Sequence, residues 1–189
     1  MIQKTSPFPD RLSKYLQLGS HEKARQEAQF LWEEALVLLK AANWRSLLTV
    51  DEFFDVFHPY AESSQSIRRL LRCAREVWLL AVTAGDGIER RSREYLKKGE
   101  AFRGYVLDRM GSFLAEEQIR QVDKIISEES TGKGYKTTRR YSPGYRDFPL
   151  EAQVVFVDLA SCAIPELRLT SDFLLVPEKS ITAIKGVLE

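Results

Sequence analysis

The chain has 189 residues, and its 28 Lys and Arg against 27 Asp and Glu leave a formal net charge of +1, which offers no strong field for nucleic acid or a membrane surface. A hydrophobic share of 44% excludes a disordered chain, and the length suffices for a single domain with a sizeable core. Cys73 and Cys162 lie far apart, which excludes a disulfide framework and fits a reducing cytoplasmic setting; Met1 to Asp10 lacks a signal-peptide pattern, and the longest apolar run, Val77 to Ala84, is too short to span a bilayer.

In chain order, Asp10 suits the cap of a short helix, Arg11 to Leu18, ended by Gly19. Ser20 then caps a helix to about Ala42, with Ala24, Ala28, Leu31, Ala35 and Leu38 at helical spacing and Phe30 and Trp32 widening the stripe. Trp44 to Val50 reads as a strand. Thr49 or Asp51 starts a short helix with Phe53, Phe54 and Phe57, stopped by His58-Pro59. No second histidine or acidic cluster accompanies His58, so a metal role has no support from sequence. Ser64 or Ser66 caps a helix from Ile67 to Ala74, whose Arg68, Arg69, Arg72 and Arg75 face either a partner or solvent. The residues to this point, 1–75, form a mostly helical N-terminal part of one domain.

Val77 to Thr83 is apolar without alternation, as expected of a strand buried on both faces. Gly85-Asp86-Gly87 turns from it into a helix reaching about Lys98, but lacks the third glycine of a dinucleotide fingerprint. A long helix follows from about Glu100 to Ser127, with Phe102, Val106, Met110, Phe113, Leu114, Ile119, Val122 and Ile126 on one stripe. Glu116 and Glu117 are adjacent on it, so at least one falls near the buried boundary, where a carboxylate binds an ammonium group or simply faces solvent. Thr131-Gly132-Lys133-Gly134 ends the helix and is not a Walker loop.

The densest chemistry lies in Arg139-Arg140-Tyr141-Ser142-Pro143-Gly144-Tyr145-Arg146-Asp147-Phe148-Pro149. Pro143 fixes its own φ and Gly144 accepts φ > 0, which suits the centre of a type II turn. Such a turn can offer backbone groups to a flat heterocycle, with Tyr141 and Tyr145 as stacking faces and Arg140 as a forked cation for a carboxylate or phosphate. The plainer reading of the same residues is a surface turn with solvated arginines. Pro149 fits the start of a helix to about Ala160, although Val154 to Val157 favours a strand on propensity. Two short extended runs close the chain, Leu174 to Val176 and Ser180 to Ile184, around Pro177-Glu178-Lys179. Neither a Ser-His-Asp nor a Cys-His pairing stands out, and no zinc spacing exists, so the chemistry points to binding rather than to a self-contained catalytic apparatus.

Four segments in order resemble the activation domain of cobalamin-dependent methionine synthase. They are Ala81-Val82-Thr83-Ala84-Gly85; Asp108-Arg109-Met110 with Ala115-Glu116; Arg140-Tyr141-Ser142-Pro143-Gly144-Tyr145; and Leu169-Thr170, Phe173, Pro177 and Ser180. The resemblance runs over roughly residues 77 to 186, within a family-like part spanning 76–189. It implies an α+β fold, a mixed or antiparallel sheet packed with long helices, and a helix over Leu150 to Ala160. It further implies a module that binds S-adenosylmethionine and presents its methyl group to an oxidised cobalamin. The cobalamin would sit on a separate corrinoid-binding methyltransferase subunit, and a reductase or flavodoxin would deliver the electron, with no nucleic acid or membrane involved.

By the same resemblance Arg140 holds the methionine carboxylate and Glu116 lies near the amino or ribose groups. Backbone groups of Ser142 and Gly144, with Tyr145, hold the adenine. Three family features have no counterpart here: an N-terminal ligand-contacting aspartate, an aromatic placed near the methyl group, and an acidic residue before the loop arginine, where this chain has the neighbourhood of Gly134. The family domain also continues beyond the region matching Ser180 to Gly186, so the resemblance is to a shortened, free-standing form. An alternative of a different class is a docking module of a corrinoid methyltransferase complex that binds no small ligand.

Overall fold

A computed structural model describes residues 7–19 and 21–189. The cap expected at Ser20 lies outside the described residues. Helix α1, Asp10–Leu16, starts after Pro9, so Asp10 sits in the first turn rather than capping it, and Gln17 in the left-handed region ends the helix before Leu18. Helix α2, Glu22–Leu38, stops short of Ala42 because Ala42 is claimed by a strand. That strand, β1, covers Ala42–Thr49. Thr49 then builds a full capping box: its hydroxyl accepts from the Glu52 N–H at 3.2 Å, and the Glu52 carboxylate accepts from the Thr49 N–H at 2.7 Å. This starts α3, Val50–Val56. A short α4, Tyr60–Ser63, follows Pro59, and Ser64, not Ser66, caps α5, Gln65–Leu70. His58 stands beside Glu62 on the surface at 3.4 Å, and no metal-binding group of His, Cys, Asp or Glu exists among the described residues.

Strand β2 runs Ala74–Thr83, so Ala74 belongs to the strand rather than to the preceding helix. Helix α6, Gly87–Lys97, and the long α7, Ala101–Gly132, pack side by side. Their approach depends on Gly104, where a Cβ would fall 2.6 Å from Leu96 Cγ and 3.0 Å from the Ser92 carbonyl oxygen. The Ser92 hydroxyl donates to the Gly104 carbonyl at 2.8 Å across this seam. The remaining elements are β3, Lys136–Thr137; a 3-10 turn, Leu150–Ala152, leading into α8, Gln153–Ala160; β4, Arg168–Leu169; β5, Leu175–Val176; and β6, Ser180–Leu188. Burial in the tertiary structure thus overrides the strand propensity of Val154 to Val157.

The main sheet is four-stranded and antiparallel, in the order β1-β2-β6-β3. Its strand β2 is apolar from Val77 to Val82, where both faces are covered. Leu80 and Val82 pack with Ile119, Val122 and Ile126 of α7, whereas Val77 and Leu79 pack with Phe53, Phe57, Phe148 and Phe156 on the opposite side. A third cluster joins α1, α2 and the first half of α7 around Leu12, Leu31, Trp32, Met110 and Leu114. The two C-terminal runs do not form a hairpin with each other. Instead β5 pairs with β4 in a separate two-stranded sheet. The intervening turn is held on the helices instead: the Glu178 N–H donates to the Glu89 carboxylate at 2.8 Å, and Lys179 meets Asp108 at 2.6 Å. Burial raises the Glu89 carboxyl above its ordinary range, with the Glu178 hydrogen bond acting in the opposite direction. The α+β architecture with long helices and an antiparallel sheet is as the sequence indicates. No described helix is long and apolar enough to cross a membrane.

Candidate functional site

The chain leaves the sheet edge at Tyr141, whose N–H and C=O exchange hydrogen bonds with Ile184 at 3.0 and 2.8 Å. The Tyr141 ring is buried beside Phe148. The next four residues, Ser142 to Tyr145, make the type II turn: Gly144 has φ +85°, and the Tyr145 N–H donates to the Ser142 carbonyl at 3.3 Å. The turn is closed underneath, because the Gly144 N–H donates to the Phe148 carbonyl at 2.8 Å and the Tyr141 hydroxyl donates to the Tyr145 carbonyl at 3.2 Å. Asp147 then ties the loop to the start of α5. The Ser64 hydroxyl donates to it at 2.9 Å and the Ser66 N–H at 3.2 Å. Hydrogen bonding from Ser66 first, and from Ser64, holds the Asp147 carboxyl down to about 2.

This fixed loop overhangs a cavity of about 540 Å³, within the size range of small-molecule sites. Its lining includes Glu116 of α7, Arg139 to Pro143, Tyr145 and Arg146 of the loop, Gln153 of α8, Leu175 of β5, and Ser180 to Thr182 of β6. The structure therefore brings together Arg140, Ser142, Tyr145 and Glu116. Gly144 shapes the turn without lining the cavity, and its N–H is already used within the loop. Tyr145 is 65% exposed and presents an open aromatic face.

Arg140 and Glu116 do not stand apart as two separate contacts. The Arg140 guanidinium pairs with Glu116 at 3.0 Å and lies 3.9 Å from Asp123. Asp123 in turn takes the buried Lys185 ammonium at 2.6 Å, with the Ser127 hydroxyl 2.9 Å from the same nitrogen. On the far side Arg120 lies 3.6 Å from Glu116. Glu116 and Arg140 on the cavity wall are thus members of a chain of alternating charges that continues behind it and links α7, the loop and β6.

Gln153, Thr182, Asp123 and Lys185 were not singled out from sequence. Gln153 is buried, its amide donating to the Phe173 carbonyl at 2.9 Å and accepting from the Thr182 hydroxyl at 3.3 Å. A lysine inside the apolar strand Ser180–Leu188 and a glutamine at the head of an apolar helix are signals of required polar partners. The Ala81-to-Gly85 motif also acquires a local reason. The Thr83 hydroxyl accepts from the cavity-lining Ser180 hydroxyl at 2.8 Å and from the Gly85 N–H at 3.1 Å, with Gly85 at φ +76°.

No family model matches the chain. No curated protein matches it either. Among solved structures it is similar to one described as the crystal structure of the MetH reactivation domain bound to AdoHcy, at 15% identity and a TM-score of 0.59, covering 96% of this chain and 70% of that one. The correspondence spans α-helical and β portions alike, and it shows that this chain has the fold of the MetH reactivation domain.

Proposed function

We propose that the cavity under the Ser142–Tyr145 turn binds S-adenosylmethionine, and that the chain serves as a reactivation module for a cobalamin-dependent methionine synthase whose corrinoid and methyltransferase parts are separate subunits. The observation that carries this reading is the Arg140–Glu116 pair, 3.0 Å apart on the wall of an open cavity. An α-amino acid is itself a carboxylate beside an ammonium. It can exchange into such a pair, placing its carboxylate on the guanidinium and its ammonium on the glutamate, so that one ion pair becomes two. The likeness in fold to a domain with AdoHcy bound supports the same ligand class.

When bound, S-adenosylmethionine supplies an electrophilic methyl group for the corrinoid, and the electron comes from a reductase or flavodoxin partner. The residues of this chain bind and orient. Arg140 and Glu116 fix the amino-acid end, Tyr145 offers a stacking face for the adenine, and Gln153 and Thr182 hold the floor. Holding the donor in one orientation contributes several kcal/mol to such a reaction through lost translational and rotational entropy.

Calorimetric titration with S-adenosylmethionine tests this. Arg140→Ala should weaken binding by about 1.5–3 kcal/mol, and Arg140→Lys should recover only part of the loss because an ammonium lacks the fork. Equal affinity in all three proteins, each correctly folded, rejects the role of Arg140. In a mixture with corrinoid-loaded partner and reductant, the chain should speed methylcobalamin formation in the visible spectrum. Complex formation without any ligand binding would favour the docking alternative, for which the internal pairing of Arg140 with Glu116 is the supporting observation.

A further inference from the structure

A second cleft lies across Glu116 from the cavity, between α1 and α7, with a volume of about 590 Å³. Arg11 and Lys14 of α1 and Arg120 of α7 line it, together with Tyr15, Phe113 and Glu116. Two of the cations already converge on an anion. Arg11 Nη1 lies 3.4 Å from Glu117 Oε1, and Arg120 Nη1 hydrogen-bonds that same oxygen. Lys14 is exposed and has no carboxylate partner among the described residues.

We infer that this α1–α7 cleft is an anion site for a phosphate or phosphate ester, with Glu117, at its edge, already drawing Arg11 and Arg120 together. A guanidinium has five donors, and Glu117, with Glu116 3.6 Å from Arg120, satisfies only part of those on Arg11 and Arg120 together. A phosphate group carries more charge and more acceptor oxygens, and can bridge the two forks while also meeting the unpaired ammonium of Lys14. Glu117 keeps the two arginines gathered and at the same time competes with a ligand for them. The Tyr15 and Phe113 side chains, whose rings are 5.9 Å apart, wall the rest of the cleft and give room for the organic part of an ester. This inference does not rest on the S-adenosylmethionine reading, because the cations differ, although Glu116 lines both clefts.

The test is calorimetric titration of the whole chain with inorganic pyrophosphate and, separately, with adenosine monophosphate at fixed ionic strength. Saturable binding of at least one is expected. Arg11→Ala/Lys14→Ala should weaken it about tenfold or more, as expected for loss of charge-assisted contacts. Glu117→Gln should tighten it, and a gain of affinity cannot arise from misfolding. Arg139→Ala/Arg146→Ala, at the mouth of the other cavity, should leave it unchanged. Tighter binding of the nucleotide than of pyrophosphate would assign the aromatic wall to the ester's organic part, and the reverse would assign the cleft to inorganic phosphates. Absence of saturable binding with both probes overturns the inference. So does an unchanged affinity in both the α1 double variant and Glu117→Gln, or a loss of binding on substitution of Arg139 and Arg146.

Discussion

Along α7, the half from Val106 to Leu114 meets α1, α2 and α6 through apolar side chains, whereas the half from Glu116 to Ser127 adds a row of polar groups to its apolar face. In the first half the contacts are Leu, Met, Phe and Val against Leu12, Leu31 and Trp32. In the second, Glu116 reaches the Arg140 loop, and Asp123 and Ser127 reach Lys185 of β6. The first half thus contributes mainly non-directional packing, with an ion pair from Asp108 to Lys179 at 2.6 Å, and the second adds directional bonds to the loop and to β6. Apolar burial stabilises the fold but leaves neighbouring elements some freedom of placement. Charged pairs contribute less net stability and set where the loop and strand sit relative to each other.

That contrast is open to a direct test with one substitution in each half. Leu114→Ala removes a fully buried side chain from the apolar end and should cost about 2–5 kcal/mol of stability, read as a lower denaturant midpoint with the cavity residues untouched. Asp123→Ala at the polar end strips the buried Lys185 of its carboxylate. Because Asp123 is partly exposed and Ser127 remains, the cost should be nearer about 2 kcal/mol than the larger loss seen for fully buried pairs. The Asp123→Ala change should also loosen Arg140 and lower affinity for any carboxylate ligand, which Leu114→Ala should not do. Adding Lys185→Met should restore most of the stability while leaving the ligand affinity low. If Leu114→Ala impairs ligand binding as strongly as Asp123→Ala does, the division between the halves is wrong.

The legibility of the sequence follows the same line. The buried strand β2, the amphipathic stripes of α2 and α7, the Thr49 cap and the Pro143-Gly144 turn could be read locally, because each depends on periodicity or on the φ preference of one residue. Glu116 and Arg140 could be named, but their pairing could not, since it joins positions 24 apart through the packing of a loop on a helix. The ends of α2 and β2 were misplaced for a related reason. Ala42 and Ala74 favour helix on propensity and are drawn into strands by partners at Thr83 and Leu188. The anchoring of Pro177-Glu178-Lys179 on α6 and α7 is likewise a tertiary effect, which is why two adjacent extended runs gave no hairpin.

A smaller effect sharpens the role of the loop itself. Gly144→Ala places a Cβ at φ +85° and 3.2 Å from Leu150 Cδ1, the flexible end of a side chain. The steric contact can relax, whereas the backbone conformation cannot, so the expected cost is about 1 kcal/mol. A midpoint shift of that size with weakened ligand binding would show that the turn is shape-determining. An unchanged midpoint would mean that the segment is held by its anchors alone.

Those anchors give the last prediction, the smallest at neutral pH and visible only in acid. The Asp147 carboxyl is held at about 2 in the folded chain, against an ordinary value of 3.8, by hydrogen bonds from Ser66 and Ser64. A carboxyl depressed on folding contributes stability that is fully present above its unfolded value and is lost as pH falls through its folded value. The contribution should therefore be constant from neutrality down to about pH 4 and disappear progressively towards pH 2. Asp147→Asn should remove that dependence: its stability should run below that of the parent at neutral pH and converge with it in strong acid. The side chain is near the surface, so the difference should be modest. It should be accompanied by faster amide exchange at Ser66, which donates to Asp147, and at Gly144, whose N–H is closed on the neighbouring Phe148, with little change in the first half of α7. Curves that stay parallel between pH 4 and pH 2 would show that Asp147 gives the loop no ionic anchor.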